Sequence, residues 1–494
     1  MIELPEEIYS VAQVAELDRS AIDRLDITGY ELMCRAGEVA LEAVGRHWPS
    51  APSLTILCGA GNNAGDGYVL ARLAADREVG VRVIAVAPPE RLTGTAASAW
   101  EAFEAGGGSV EAFSQGISLG EGVIVDGLLG TGLDRALDGA FLDAVTAINV
   151  AENPVFALDI PTGLDGDTGM PMGAAVHADV TTTFVGLKAG LFLGQALDYR
   201  GILEFSGLGI PDEVYAPHRA VLERLSLATL REALPPRRPS AHKGSHGSLL
   251  LIGGSPGMPG AIRLAAEAAL RAGAGLVRVA THPDGAGQVA AARPEIMCQG
   301  IDDPSDLGTL IDKVDAVVLG PGLGQSSWGR SLMERVLVAG LPMVLDADGL
   351  NLLAEQPVER GNWILTPHPG EAARLLRREV TEIQSERLRA VQDLADRYQC
   401  VSILKGAGSL VAKPGGLNVA VCDRGNSGMA TAGMGDVLSG VVGAILVQTA
   451  NLPLAARAGV LLHALAGDAA VTDGQRGLLA RDLMPHIRRW ANPS

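Results

Sequence analysis

The residues best suited to chemistry lie at 425–440, a run of small residues that ends in Gly433-Met434-Gly435-Asp436 and passes directly into the apolar segment Val437 to Val447. Glycine lets a backbone turn tightly and brings bare N–H groups close to a ligand. A helix starting here aims its unpaired N–H groups and the positive end of its dipole at an anion, with Asp436 at that terminus. A glycine-rich anion hole with a carboxylate at its mouth suits phosphoryl transfer, the carboxylate drawing the proton from an attacking hydroxyl. The competing expectation is a loop that merely caps a core helix.

A second group of candidates stands at strand ends in the first half. Leu54 to Cys58 reads as a buried strand that enters Gly59-Ala60-Gly61-Asn62-Asn63-Ala64-Gly65-Asp66-Gly67, with helix signals resuming at Tyr68. Strand, glycine-rich loop and helix in that order bind nucleotide phosphates in α/β folds. The paired asparagines and Asp66 add oxygens suited to a sugar or a metal ion. Val123 to Asp126 enters Gly127-Leu128-Leu129-Gly130-Thr131-Gly132-Leu133, and Val155 to Asp159 enters Ile160-Pro161-Thr162-Gly163-Leu164-Asp165. Any one Asp in such a place can be a helix or turn cap. Several parallel strands ending this way put their carboxylates along one sheet edge, where doubly wound folds bind ligands.

The second half repeats the pattern. Strand Ser248 to Ile252 leads into Gly253–Gly260 and an alanine-rich helix at 261–272. Val314 to Leu319 ends in Gly320-Pro321-Gly322-Leu323-Gly324, and Pro342 to Leu345 ends in Asp346-Ala347-Asp348-Gly349. Trp363 to Thr366 leads to Pro367-His368-Pro369-Gly370-Glu371, where Gly370 and Glu371 open a helix. Val401 to Leu404 ends in Lys405-Gly406-Ala407-Gly408-Ser409. Lys405 is either a phosphate contact or a solvated lysine. His242 and His246 have no carboxylate partners in sequence, so a loop role is expected over metal binding.

These residues need elements to hold them. A chain of 494 residues calls for two or three domains, and 47% hydrophobic with 19% charged residues describes a globular protein with a large core. Sixty-three glycines suit an α/β fold with short connections. Ser10 and Gln13 form a capping box, and a helix is expected from Glu31 to Arg46. Residues 212–240, with Pro235-Pro236-Arg237-Arg238-Pro239, mark the domain boundary. The expected partition is 1–216, a linker at 217–234, and 235–494, with no sequence repeat relating the halves.

A net charge of −18 argues against binding nucleic acid or anionic membranes, though not against a small anion held by backbone dipoles. The five scattered cysteines lack CxxC or Cys/His spacing, which disfavours disulfides or structural zinc and points to a reducing compartment. The acidic N-terminus has no signal-peptide core. The uncharged stretch 437–456 contains Gln448, Asn451 and Pro453, so a buried helix is expected there, not a membrane span.

In this number and order the motifs resemble the bifunctional NAD(P)H-hydrate repair enzymes, an epimerase domain fused to an ADP- or ATP-dependent dehydratase. The resemblance covers nearly the whole chain. It rests on residues 59–67, 125–133 and 158–164 in the first half. In the second half it rests on His242-Lys243-Gly244, Gly320–Gly324, Thr366–Glu371, Lys405–Gly408 and Gly433–Asp436. It implies two tandem three-layer αβα domains, Rossmann-like then ribokinase-like.

The implied substrate is a reduced nicotinamide cofactor that has taken up water across a ring double bond, giving two epimers. The first domain would interconvert them and the second would dehydrate one through a phosphorylated intermediate. The resemblance assigns Asn62, Asn63, Ala64, Gly65, Asp66 and Gly130, Thr131, Gly132, Leu133, Asp134, Arg135, Ala136 to the hydrate. Asn63, Asp126 and Thr162 would hold K⁺, and Asp159 would contact the ring and move the proton. Ala64 and Thr162 stand where the family often has Gly and Ser.

In the dehydratase half, Ala261, Gly322, His368 and Asp436 would line the hydrate site. Lys405, Gly406, Ala407, Gly408, Ser409 and Gly435 would hold the nucleotide, with Mg²⁺, and Asp436 would activate the substrate hydroxyl. A cytoplasmic homo-oligomer is implied. The rival expectation is a small-molecule kinase whose first half is a non-catalytic binding module.

Overall fold

The computed structural model describes residues 4–416 and 418–493, which divide into two compact units at Leu222/Glu223. That division falls inside the expected linker at 217–234. The charged stretch there forms a short helix, Leu227–Ala233. Leu225, Leu230, Ala233 and Leu234 are buried in the core of the second unit.

The first unit is built on a seven-stranded parallel sheet. Its strands run Val110–Ala112, Gly80–Ala85, Ser53–Cys58, Val123–Gly127, Val155–Leu158, Val180–Phe184 and Ile202–Ser206 across the sheet. Alternation along the strands sends Leu54, Ile56, Cys58, Val123 and Val125 into one core with the helices Val11–Leu25, Gly29–His47, Asn62–Asp76 and Gly94–Ala105. Leu57, Ile84, Ile124 and Ala157 face a second core with the helix Gly139–Val150. Both faces are therefore covered, as a parallel sheet requires. The chain order steps outward from Ser53–Cys58 to one edge, then returns to Val123–Gly127 on its other side. The crevice between those two strands is the topological switch point of a Rossmann-type sheet.

The second unit uses the same winding. Its strands lie in the order Met297–Gly300, Leu276–Thr281, Ser248–Ile252, Ala316–Leu319, Met343–Leu345, Trp363–Leu365 and Val401–Leu404, all parallel. Ser409–Ala412 and Val419–Cys422 extend the sheet antiparallel. The helices Pro259–Arg271, Met434–Thr449 and Leu452–Ala469 cover one face.

Met434–Thr449 seats itself through glycine. A Cβ at Gly443 would lie 2.5 Å from Val318 Cγ2, and one at Gly440 would lie 2.0 Å from the Ala265 carbonyl oxygen. The stretch 437–456 is thus two buried helices that break at Ala450, which is left-handed. No described helix is long and apolar enough to cross a membrane.

One element differs from the sequence expectation. The helix after the first glycine-rich loop begins at Asn62, not near Tyr68. Its glycines serve packing: a Cβ at Gly65 would lie 2.6 Å from Met33 Sδ, and one at Gly67 would lie 3.1 Å from Cys58 Sγ. The Asn-Asn-Ala-Gly-Asp segment is therefore the first helical turn, with its free N–H groups at the sheet edge.

Candidate active sites

At the switch point of the first unit lies a cavity of about 560 Å³, lined from the two strand-end loops and the first two helices. Of the residues expected to bind the hydrate, Asn62, Asn63, Asp66, Gly130, Thr131, Gly132, Leu133 and Asp159 line it. Ala64 and Gly65 turn into the protein interior instead, and Asp134, Arg135 and Ala136 are exposed beyond its rim.

Asp159 stands just past Val155–Leu158 in a left-handed conformation, with φ 64°. Ile160 N donates to Leu158 O at 2.7 Å across it, a γ-turn with positive φ at its centre. Val185 repeats this at the next strand end, with φ 64° and Gly186 N donating to Phe184 O at 2.7 Å. Strained backbone of this kind collects at functional sites. Here it sets the Asp159 carboxylate against three donors: Thr183 Oγ1 at 3.1 Å, Phe184 N at 3.2 Å, and the ammonium of Lys188. Lys188 is 1% exposed and also donates to Thr183 Oγ1 and Phe184 O, both at 2.9 Å. The sequence reading missed Lys188, although a lysine in an apolar, glycine-rich stretch was a usable signal.

Asp126 and Thr162 are hydrogen-bonded to each other beside this cavity, and Asn63 lies against the loop that follows Asp126. Asp126 is fully buried and accepts from Thr162 N at 2.7 Å, Thr162 Oγ1 at 2.6 Å and Leu128 N at 3.2 Å. Burial pushes its carboxyl up to about 6, against the pull of those hydrogen bonds. A Cβ at Gly130 would touch Asn63 Cβ at 3.4 Å, which places Asn63 against the following loop. Both polar atoms of the Asn63 side chain are buried without a protein partner. The buried, unpartnered Asn63 oxygen, against the loop that joins this carboxylate and hydroxyl, adds an oxygen donor of the kind a hard cation takes.

In the second unit the strand ends converge on Lys405. Its ammonium lies 2.7 Å from Asp346 Oδ1 and 3.7 Å from Glu371 Oε2. Burial works against the lysine's charge, but Asp346 and Glu371 outweigh it and lift Lys405 above its ordinary range. Burial likewise opposes ionisation of Asp346, and Lys405, Ser439 and Thr366 overcome it to hold that carboxyl low. Ser439 Oγ donates to Asp346 Oδ2 at 2.5 Å, tying the strand end to the helix that carries Asp436. A Cβ at Gly435 would come within 3.3 Å of Lys405 Nζ, so the glycine lets the helix start sit against the ammonium.

Asp436 occupies the first turn of Met434–Thr449, with Gly433 left-handed at the N-cap (φ 89°). Burial pushes its carboxyl up to about 7, with Asp346 and Asp348 adding to the rise and Lys405 opposing it. Asp348 Oδ2 accepts from Gly324 N at 2.8 Å, and a Cβ at Gly322 would touch Ala261 Cβ at 3.2 Å. Those contacts join the Gly320–Gly324 loop to both Asp348 and the helix Pro259–Arg271. His368 caps the helix Pro369–Leu376, accepting from Gly370 N at 3.0 Å and Glu371 N at 3.3 Å on Nδ1. Burial, Lys405 and Arg374 push its pKa down, which keeps the ring neutral.

The expected Lys405–Ser409 loop has a brace that the sequence reading missed. Arg387, 4% exposed, donates to the carbonyls of Lys405 at 3.4 Å and Gly408 at 3.3 Å. With those carbonyls turned inward, Gly406 and Ala407 are left exposed at the rim. His242 and His246 sit apart from this site, beside Arg237.

Residues 29–190 match the family model described as YjeF-related protein N-terminus, and residues 249–489 match the one described as NAD(P)H-hydrate dehydratase. The bifunctional NAD(P)H-hydrate repair enzyme Nnr of Coxiella burnetii is 46% identical, covering 98% of this chain and 99% of that protein. Its counterpart from Escherichia coli is 44% identical, covering 100% and 95%. A crystal structure of a ribokinase-like superfamily protein from Enterococcus faecalis covers 56% of this chain and 96% of its own, at 25% identity and TM-score 0.52. With both domains present in order and relatives matched over nearly their full length, this chain belongs to the bifunctional NAD(P)H-hydrate repair enzyme family.

Proposed function

We propose that the first unit interconverts the two epimers of hydrated NADH or NADPH and that the second dehydrates one of them with ADP or ATP. The observation that carries the dehydratase half is Asp436, half-buried at a helix N-terminus beside Lys405 and Asp346. Asp436 takes the proton of the hydrate's hydroxyl as that oxygen attacks the terminal phosphoryl group. Lys405, the backbone of 406–409 and the N–H groups at 433–435 hold the nucleotide phosphates and the charge that develops on them. Asp436 and Asp348 would hold Mg²⁺, which would neutralise negative charge on the nucleotide phosphates. Phosphate then leaves far more readily than hydroxide, and ring conjugation returns. Ala261, Gly322 and His368 supply the wall for the nicotinamide half.

In the first unit Asn62, Asn63, Asp66 and the loop 130–133 bind the hydrate, and Ala64 and Gly65 hold that helix turn in place. Asp134, Arg135 and Ala136 border the entrance. Asn63, Asp126 and Thr162 would hold K⁺, which would supply a fixed positive charge beside the cavity. Asp159, ion-paired to Lys188, moves the proton during epimerisation. A cytoplasmic location, in keeping with five unpaired thiols, and association into a homo-oligomer belong to the same proposal.

The test is an equal mixture of both hydrate epimers with Mg²⁺, K⁺ and either nucleotide, followed by the return of the reduced nicotinamide's absorbance. Rapid and complete recovery is expected. Recovery that stops part-way and then creeps at the uncatalysed rate would make the first unit a binding module. No recovery with either nucleotide would sink the dehydratase assignment.

A further inference from the structure

The first cavity contains a carboxyl that neither the sequence motifs nor the roles above use. Asp18, from the helix Val11–Leu25, lines it together with Asp66, Asp159 and Lys188. Asp159 is ion-paired with Lys188. Among the described residues Asp18 has no ion pair and its carboxyl accepts no hydrogen bond, although it is half-buried. A carboxyl in that position is either protonated or waiting for a ligand. Burial pushes Asp18 up to about 6, with Asp159 adding to the rise and Lys188 and Arg19 opposing it; Asp66 and Tyr215 are the other titratable groups that face it. The cavity therefore holds three carboxyls: Asp159 is ion-paired, while burial pushes Asp18 and Asp66 toward their protonated forms. Asp18 comes from a different element from Asp159 and is not bonded to it.

The chemistry of the substrate needs such a pair. Water adding across a ring C=C bond next to nitrogen places the hydroxyl on the carbon bonded to that nitrogen, because the lone pair stabilises a cation there. Epimerisation must break a bond at this carbon and rebuild it from the other face. Given the proposed epimerase reading, we infer that Asp18 is the general acid of this step. It gives its proton to the hydroxyl, the C–O bond breaks as the nitrogen lone pair forms a C=N bond, and water leaves. A second water adds to the carbon from the opposite face and passes a proton to the Asp159 carboxylate, while the C=N electrons return to nitrogen. One proton leaves Asp18 and one arrives at Asp159, so the product differs from the substrate only in configuration. For the opposite epimer the two carboxyls exchange roles, and proton exchange with solvent resets them. The division of labour parallels that of inverting glycosidases, where an acid and a base flank a carbon that passes through a cation.

Asp18→Asn and Asp18→Glu in the full-length chain test this, with each purified epimer, K⁺ and no nucleotide. For Asp18→Asn a loss in kcat of about 10²–10³-fold is expected, with KM changed less than about threefold. The wild-type decline in kcat as pH rises past the Asp18 titration should vanish in that variant, and Asp18→Glu should restore part of the rate. In ¹⁸O-water a single wild-type turnover should place label in the product hydroxyl well above uncatalysed exchange. An Asp18→Asn enzyme with near wild-type kcat and the same alkaline decline would overturn the assignment. So would an unlabelled product, because ring opening and closure keep the original oxygen. If Asp159→Asn also leaves epimerisation intact, the reading of this cavity as the epimerase site fails, not merely the role of Asp18.

Discussion

Lys405 Nζ lies 2.7 Å from Asp346 Oδ1, and the other oxygen of that carboxylate accepts from Ser439 at 2.5 Å. One buried carboxylate thus fixes both the ammonium expected to meet phosphate and the helix that carries Asp436. Lys405→Met leaves Asp346 buried with its main counter-charge gone, which costs about 3 kcal/mol. Nucleotide binding should be lost while epimerisation persists. Urea unfolding of the second unit, with calorimetric titration of ADP and ATP, measures both effects. Unchanged nucleotide affinity would remove Lys405 from the phosphate site.

Asp436 exchanges its proton near neutrality, because burial and the neighbouring Asp346 and Asp348 push it up to about 7 against the pull of Lys405. Only the carboxylate form accepts a proton from the hydrate. Dehydration should therefore be weak below that pH and should climb through it, with kcat/KM reporting the free enzyme's value. Asp436→Asn should abolish dehydration and spare epimerisation; Asp159→Asn should do the reverse. Two variants that each lost both activities would refute the assignment of two separate sites.

The fold and the outline of both sites were legible because parallel strands here end in glycine and aspartate. Asp126, Asp159, Asp346 and Lys405 all stand at such ends. What stayed hidden was set by distance along the chain. Lys188 reaches Asp159 from 29 residues away, and Arg387 supports the Lys405 carbonyl from 18 away. Neither sits in a loop with a recognisable pattern. Gly59–Gly67 read as a loop since its glycines disfavour helix. The penalty is offset because Gly65 and Gly67 admit Met33 and Cys58 to the helix surface.

Asn63 offers a direct test of the proposed cation site, since its side chain is buried without a protein partner. If K⁺ fills that position, it should raise the melting temperature of the first unit in wild type more than choline at equal ionic strength does. At about one hundred times Kd the gain is about 2.7 kcal/mol. In Asn63→Ala the K⁺-specific part should disappear, and K⁺ activation of epimerisation with it. An equal K⁺ effect in both proteins would place the ion elsewhere.

Gly440 tests whether the seating of the Asp436 helix matters to catalysis. A methyl there would fall 2.0 Å from the Ala265 carbonyl oxygen and 2.7 Å from its carbon. These are backbone atoms, so no side-chain rotation relieves the clash. Gly440→Ala must push Met434–Thr449 away from Pro259–Arg271, at a cost of about 3 kcal/mol. Because Asp436 rides on that helix and Ala261 on its partner, dehydration should fall further than stability alone explains, with epimerisation unchanged. Gly260→Ala is the control: nothing lies within 4 Å of its added methyl, so urea unfolding should show little change or a gain of about 0.5 kcal/mol. Equal stability in the two variants would mean that the helices do not pack through Gly440.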